Sequence, residues 1–473
     1  MTNLRKTKIV ATIGPSSSEE KTLVGMIEAG MNVARINCSH GSNEEYKAKV
    51  EMIRRASAKA KTPVAILMDL GGPKIRIGDF ADGRVLLERG AKLSLTTEKI
   101  EGNALRVSIN YPKLPKEVRP GMHIYLDDGK VDLEVLSTSE TEVRTKVIFG
   151  GEIRSRRGVN VPDADLSIAT ITPKDIKDAE LGVKLGVDFM ALSFVRSAKD
   201  IMKLRDMLMK KGSAAGIIAK IETRQAVQNI DEIIAATRGI MVARGDLAVE
   251  MPKEEVPLIQ KMIIRKCNAA GKVVITATQM LESMITQTSP TRAEVNDVAN
   301  AIFDGTDAVM LSGESAVGDH PVLAVETMAH IALRIEHSPI YHEDILRLST
   351  FPEGIVDAVS SSVTHIVRTV KAKAIVALTE SGFTPRTISR HKPLTPILVL
   401  TTVETTYRQL LLSYGCYPVL IKKSIRSLSD AITLARKSLV SRKLAEKDDV
   451  FVLVAGIPFG NRGGTNTLSV QQV

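Results

Sequence analysis

The residues of this chain most suited to chemistry are charged groups that end short apolar runs. One run ends Ala219-Lys220-Ile221-Glu222 and another ends Ala243-Arg244-Gly245-Asp246. Two carboxylates at the ends of adjacent strands repel unless a cation lies between them. Hard oxygen ligands with room for water and phosphate oxygens describe a Mg²⁺ site. Lys220 faces the same way as Glu222, because side chains two apart on a strand share a side. An ammonium beside a bound metal suits an oxygen on which negative charge develops. For a single pair the plainer reading is a salt bridge sealing the fold; the whole set at strand ends favours function.

Arg35 and Arg76 end neighbouring runs and can clamp phosphates through paired N–H donors, although either alone reads as a surface arginine. Arg154, Arg156 and Arg157 form a further basic segment, either a phosphate contact or a solvated charge run. Ser39, His40 and Asp69 hint at a nucleophilic triad, but no G-x-S-x-G elbow surrounds Ser39. Cys38 alternates to the opposite face and is expected in the core. Thr278 is a hydroxyl placed to hold a water for proton transfer, or else a helix N-cap. Thr379, Ser381, Gly382 and Thr384 follow a strand and open a helix, where hydroxyls and backbone N–H groups can cradle a phosphate or simply make a capped turn.

The elements that must position these groups have a repeated grammar. Apolar runs recur at Lys8–Gly14, Met31–Asn37, Val64–Leu70, Asp188–Phe194, Gly216–Glu222, Ile240–Gly245, Lys272–Thr278 and Asp307–Ser312. They lack polar alternation, as expected of parallel strands buried on both faces. Gly30, Gly186, Gly216, Gly239 and Gly271 precede or start strands, where glycine closes a preceding helix in a left-handed conformation. Ser17-x-x-Glu20, Ser42-x-x-Glu45, Ser197-x-x-Asp200 and Thr291-x-x-Glu294 read as capping boxes, and Thr172-Pro173 as an N-cap with proline behind it. Eight such units predict an α/β fold, a (β/α)₈ TIM barrel rather than an open doubly wound sheet.

The rhythm breaks from about 79 to 162, where short alternating strands (Leu93–Thr97, His123–Leu126, Glu142–Ile148) lie between glycine turns at Gly83, Gly90, Gly102, Gly121 and Gly129. This predicts a small inserted β-barrel lid domain. A second α/β series follows, with strands expected at Ala374–Leu378, Pro396–Leu400, Pro418–Ile421 and Asp449–Val454. The expected division is a catalytic barrel from 1–78 and 163–340, the lid from 79–162, and a C-terminal α/β effector-binding domain from 341–473.

Composition sets outer bounds. A chain of 473 residues with 44% hydrophobic and 25% charged residues is ordinary for a soluble protein of two or three domains. Three distant cysteines make neither a disulfide framework nor a zinc motif. No apolar run reaches the roughly 18 residues of a membrane span, and the start is not a signal peptide. The chain reads as cytoplasmic. The formal charge of +10 suits polyanions, but 3% aromatics and no Trp leave few platforms for stacking bases, so small phosphorylated ligands are expected rather than nucleic acid.

Taken together, the segments ARINCSHG, MDLGGPKIR, IIAKIET, GIMVARGDLAVE, ITATQMLESMI and SPTRAEVNDVANAIFDGTDAVMLSGESA resemble the pyruvate kinases, from about Lys8 almost to the end. The resemblance implies transfer of the phosphoryl group of phosphoenolpyruvate to ADP, with Glu222 and Asp246 holding Mg²⁺ or Mn²⁺. It implies that Lys220 stabilises the phosphoryl group in flight and the enolate, that Gly245 and Asp246 offer N–H groups to the substrate carboxylate, and that Thr278 lies near the protonating water network. Arg35 would contact the phosphoryl group; Asn37, His40, Arg76 and Arg157 would line the nucleotide phosphates, Arg157 standing where many relatives have lysine. A homotetramer is the usual family assembly.

Potassium-dependent relatives carry glutamate at position 74 and threonine at 70, where this chain has Lys74 and Leu70. Their monovalent-cation site corresponds to Asn37, Ser39, Asp69 and the carbonyl of Leu70. An ammonium near that site predicts an enzyme that does not require K⁺. The final loop, 456–464, lacks the Trp of relatives that respond to fructose 1,6-bisphosphate; the Thr379–Thr384 cradle persists, so the readings are a phosphorylated effector of unread identity or an unresponsive enzyme. Two other readings compete: a lyase or Schiff-base aldolase using Lys220, and a basic nucleic-acid-binding protein.

Overall fold

The structure, a computed structural model, describes residues 4–39, 41–347, 354–422, 425, 427–457 and 464–473. Eight parallel strands close into a barrel: β1 (Lys8–Thr12), β2 (Val33–Asn37), β3 (Ala65–Asp69), β4 (Phe189–Leu192), β5 (Gly216–Ile221), β6 (Gly239–Ala243), β7 (Val273–Ala277) and β8 (Ala308–Leu311), in sequential order with β8 beside β1. All eight predicted runs are strands, with ends shifted by one or two residues.

Ser42, Thr172, Ser197 and Thr291 open helices with capping boxes, as expected. Ser17 does not. Pro15 sets a helical φ two residues earlier, so Pro15–Ser17 closes its own 3-10 turn and the helix begins at Glu20. Gly30, Gly186 and Gly271 have the left-handed conformation, but Gly216 and Gly239 do not. Those two are needed for room instead: a Cβ on Gly239 would lie 2.7 Å from the Val273 carbonyl oxygen.

Each barrel strand is apolar on both faces for a different reason. Outward residues such as Ile36, Ile66 and Ile221 pack against the helix layer, with Cys38 among them as expected. Inward residues Val10, Val33, Leu67, Ile218, Met241 and Ile275 fill the barrel interior. Because the side-chain period is two, this inward row continues upward into Arg35 and Asn37 on β2, Asp69 on β3 and Lys220 on β5. The same row is hydrocarbon at its base and ionic at its rim.

Between β3 and β4 lies an inserted β unit, a six-stranded sheet and a two-stranded ribbon around a core that includes Phe80, Leu95, Ile124 and Val147. Gly83, Gly90, Gly121 and Gly129 make left-handed turns there; Gly102 does not. The C-terminal unit is a five-stranded sheet. Four parallel strands match the expectation, and an unpredicted fifth, Thr467–Gln472, pairs antiparallel with Val450–Ala455 at the edge. Leu411 and Leu412 from this unit enter the barrel's interior cluster and plug its base. Among the described residues no helix is long and apolar enough to cross a membrane.

Candidate active site

At the rim, Lys220 Nζ lies 2.8 Å from a Glu222 oxygen and 3.4 Å from Asp69 Oδ1. It also donates to Ser193 Oγ at 2.8 Å, and Ser193 in turn donates to the Leu70 carbonyl at 2.8 Å. Asp69 Oδ2 accepts from Arg35 Nε at 2.8 Å, and another Arg35 nitrogen donates to Thr12 Oγ1 at 2.9 Å. The register explains the meeting: Asp69 stands opposite Asn37 on one side and Ala191 on the other, which brings the Ser193 end of β4 to Lys220.

The electrostatics follow from burial. Lys220 and Glu222 are both at least nine-tenths buried. Burial alone would lower the Lys220 pKa, but Asp69, Glu222 and Asp246 outweigh it and hold the ammonium above the ordinary lysine range. Glu222 behaves oppositely. Burial raises it, Lys220 opposes, Asp246 adds to the rise, and the carboxyl is pushed up to about 7. Its other oxygen accepts from the Phe194 N–H at 2.6 Å. Two carboxylates within each other's field, one of them raised by burial, fit a divalent cation. Among the described residues no cluster of three or more His, Cys, Asp or Glu is placed to hold a metal ion.

Asp246 lies in the short helix Arg244–Glu250 that follows β6. Gly245 N–H donates to Thr278 Oγ1 at 2.8 Å, so Thr278 does not cap its own following segment but joins the ends of β6 and β7. The Arg244 guanidinium holds the Ala277 and Thr278 carbonyls at 3.1 and 2.6 Å. Phe194, Thr278 and Gln279 all have positive φ, at 53°, 71° and 54°. Such backbone is uncommon outside glycine and clusters at working sites.

A cavity of about 270 Å³ opens between the lid and the barrel, lined among others by Lys74, Arg76, Asp127, Arg157, Asp246 and Glu250. Of the three lid arginines, Arg157 faces it, held 3.5 Å from Asp127. Arg156 turns away to Asp79, and Arg154 is exposed on its strand. Asn160 of the lid donates to Glu250 of the barrel at 3.1 Å, which ties the two walls together. A neighbouring space is lined by Ser39, Lys74 and Arg76. Asn37 Oδ1 accepts from the Ser39 N–H at 3.0 Å. Lys74 is exposed and forms no ion pair among the described residues, while Asp69 is taken by Arg35 and Lys220. Lys74 is therefore not paired with Asp69.

Other candidates fall elsewhere. His40 and the loop residues 458–463 lie outside the described residues. Glu314, in the short helix just past the eighth run, is buried and accepts from the Leu281 and Ser312 N–H groups, a structural task. In the C-terminal unit, Thr379 Oγ1 accepts from Gly382 N–H at 2.9 Å, and Ser381 Oγ from Phe383 N–H at 3.3 Å. Thr384 is buried against Thr465 at 2.6 Å. The cradle is formed but satisfies its own amides. Ser193, Arg244 and Glu250 were not singled out from the sequence. Their types at strand or helix ends carry no signal until the register is known.

The barrel model of the pyruvate kinases matches residues 4–325, and the model "Pyruvate kinase, alpha/beta domain" matches 357–471. The chain belongs to the pyruvate kinase family. It is 45% identical over 476 residues to a pyruvate kinase of Geobacillus stearothermophilus, covering 99% of this chain and 80% of that one. It is 43% identical to that of Staphylococcus haemolyticus and 42% to that of Staphylococcus aureus, each across 99% of this chain and 81% of the relative. Membership makes the chain an enzyme of the phosphotransferase class and carries the family's need for a divalent metal.

Proposed function

We propose that the chain transfers the phosphoryl group of phosphoenolpyruvate to ADP, giving pyruvate and ATP, the last step of glycolysis, in the cytoplasm. The observation that carries this reading is the buried Lys220 ammonium, kept protonated by Asp69, Glu222 and Asp246. The bond from phosphorus to the enol oxygen breaks, a bond to a terminal oxygen of ADP forms, and the enolate takes a proton at carbon. Negative charge passes between those oxygens, and a fixed ammonium meets it without reorganisation. The same protonation argues against the Schiff-base reading, because that nucleophile must be a neutral amine.

Glu222 and Asp246 would hold Mg²⁺ or Mn²⁺, which when bound neutralises phosphate and enolate oxygens. Arg35 meets the phosphoryl group, oriented by Asp69. Gly245 and Asp246 N–H groups meet the substrate carboxylate, with Thr278 Oγ1 exchanging its bond to Gly245 for one to substrate or water. Arg76, Arg157 and Asn37 would contact the nucleotide phosphates, as would His40, which lies outside the described residues. K⁺ is not required on this reading. An effector at Thr379, Ser381, Gly382 and Thr384 would have to replace the loop's own hydrogen bonds, and the working assembly is a homotetramer. The test is pyruvate formation from phosphoenolpyruvate, ADP and Mg²⁺. No turnover in a folded, metal-supplied protein overturns the reading.

A further inference from the structure

The base of the barrel carries a second concentration of positive charge, which phosphoryl transfer does not use. A cavity of about 330 Å³ opens there, among the ends of two helices and the entries to β5, β6 and β7. Arg205, Arg238 and Lys272 line it, and no carboxylate does. Leu208, Met209 and Ile217 add apolar surface to its remaining wall. Lys272 is shared with an adjoining crevice lined from the C-terminal unit by Arg386 and by Arg390, which pairs with Asp357, and from the barrel by Asp307, which pairs with Lys392.

Positive charges collected without counter-charge need an account. Arg205 donates to the Ala236 carbonyl, and Lys272 donates to those of Ala235 and Thr237 at 3.2 and 2.7 Å. The C-terminal end of one helix thus holds two of them, as its dipole favours. Arg205, Arg238, Lys272 and Arg386 make no ion pair with a carboxylate among the described residues. The cost is visible: burial, and then Arg238, hold Arg386 well below the ordinary arginine range. Lys272 is lowered by burial and then by Arg238, Arg386 and Arg205. Ser413 Oγ, in the adjoining crevice, is buried with no hydrogen-bond partner.

We propose that this basal cavity binds a phosphate monoester, its dianion among Arg205, Arg238 and Lys272 and its uncharged portion against that apolar surface. A dianion removes the repulsion that the cluster bears, and guanidinium groups match phosphate through paired donors. The volume suits a small metabolite. The site is separate from the Thr379–Thr384 loop. It underlies the three strands at or beyond whose far ends lie Lys220, Asp246 and Thr278.

The experiment is calorimetric titration of the full chain with glycerol 3-phosphate, glycerol being the uncharged control. Saturable binding of the phosphate alone is expected, weakened about tenfold or more by Arg238→Ser, which removes a charge-assisted contact, and left intact by Ser381→Ala. Arg205 is exposed, so Arg205→Ser keeps the fold and should weaken binding in the same direction. Binding that survives both arginine changes, or that Ser381→Ala abolishes, puts the phosphate elsewhere and overturns the proposal. So does the absence of saturable binding at millimolar concentration.

Discussion

The barrel places buried ion pairs at both of its ends, and the two ends treat their carboxylates differently. At the base, Asp307 accepts from Lys392 at 2.8 Å, from Tyr414 N–H at 3.3 Å and from Val274 N–H at 2.9 Å. Asp188 accepts there from Arg54, Arg408 and the Ile66 N–H. Both oxygens of each are served, and the pairs bolt the C-terminal unit to the barrel. At the rim, Asp69 Oδ1 is buried without a hydrogen bond, although Lys220 lies 3.4 Å away, and the Glu222 carboxyl, though partnered on both oxygens, is pushed up by burial and by Asp246. A saturated buried pair is structural. An unsaturated one retains its demand for a cation or substrate, and that demand is what catalysis draws on.

The sharpest way to break this comparison is to remove the rim's ammonium. Lys220→Met should lower kcat by about a thousandfold, in the range for loss of a preorganised charge, while circular dichroism shows a folded chain. Next comes Glu222→Gln, for which a loss of about a hundredfold is expected, together with weakened Mn²⁺ binding followed by electron paramagnetic resonance. Tight Mn²⁺ binding in that variant would show that Glu222 is no ligand.

The base should respond in stability instead. Lys392→Met leaves Asp307 buried without its charged partner and should cost about 3–5 kcal/mol in urea unfolding, with kcat unchanged if the variant is assayed where it is folded. A smaller effect separates the ends by pH. Without divalent metal, the folded Glu222 carboxyl titrates near 7 against 4.5 for the ordinary group. Between those values the folded chain keeps a proton that the unfolded chain has released. Stability contributed at this site therefore falls as pH rises through that window. The difference in urea midpoint between wild type and Glu222→Gln should follow that slope, and a flat difference would contradict it. The smallest expected change concerns K⁺: assays in sodium or organic cations should run at full rate, whereas Lys74→Glu should introduce stimulation by K⁺.

Legibility differed by the range of the interaction involved. The eight barrel strands were readable because each is a local apolar run between turn signals, and Ser42, Thr172, Ser197 and Thr291 because a capping box closes within four residues. Ser17 misled because Pro15 closed a turn ahead of it. The edge strand Thr467–Gln472 was invisible because its half-exposed, polar-rich residues pair only through Val450–Ala455. Lys220 and Glu222 were legible as a pair by the period of two, but their neighbour Ser193 was not.

By itself the sequence determined the order of elements, the positions of the charged residues at strand ends, and the inward parity that puts Arg35, Asp69 and Lys220 in one row. Those are consequences of local periodicity. Tertiary structure alone decided which charges meet: that Asp69 goes to Arg35 and Lys220 rather than Lys74, that Arg157 and not Arg156 faces the cavity, and that cations gather uncompensated at the base. Barrel closure and domain docking fix those distances across scores of residues, and in a buried site a charge's consequence depends on its neighbours in space.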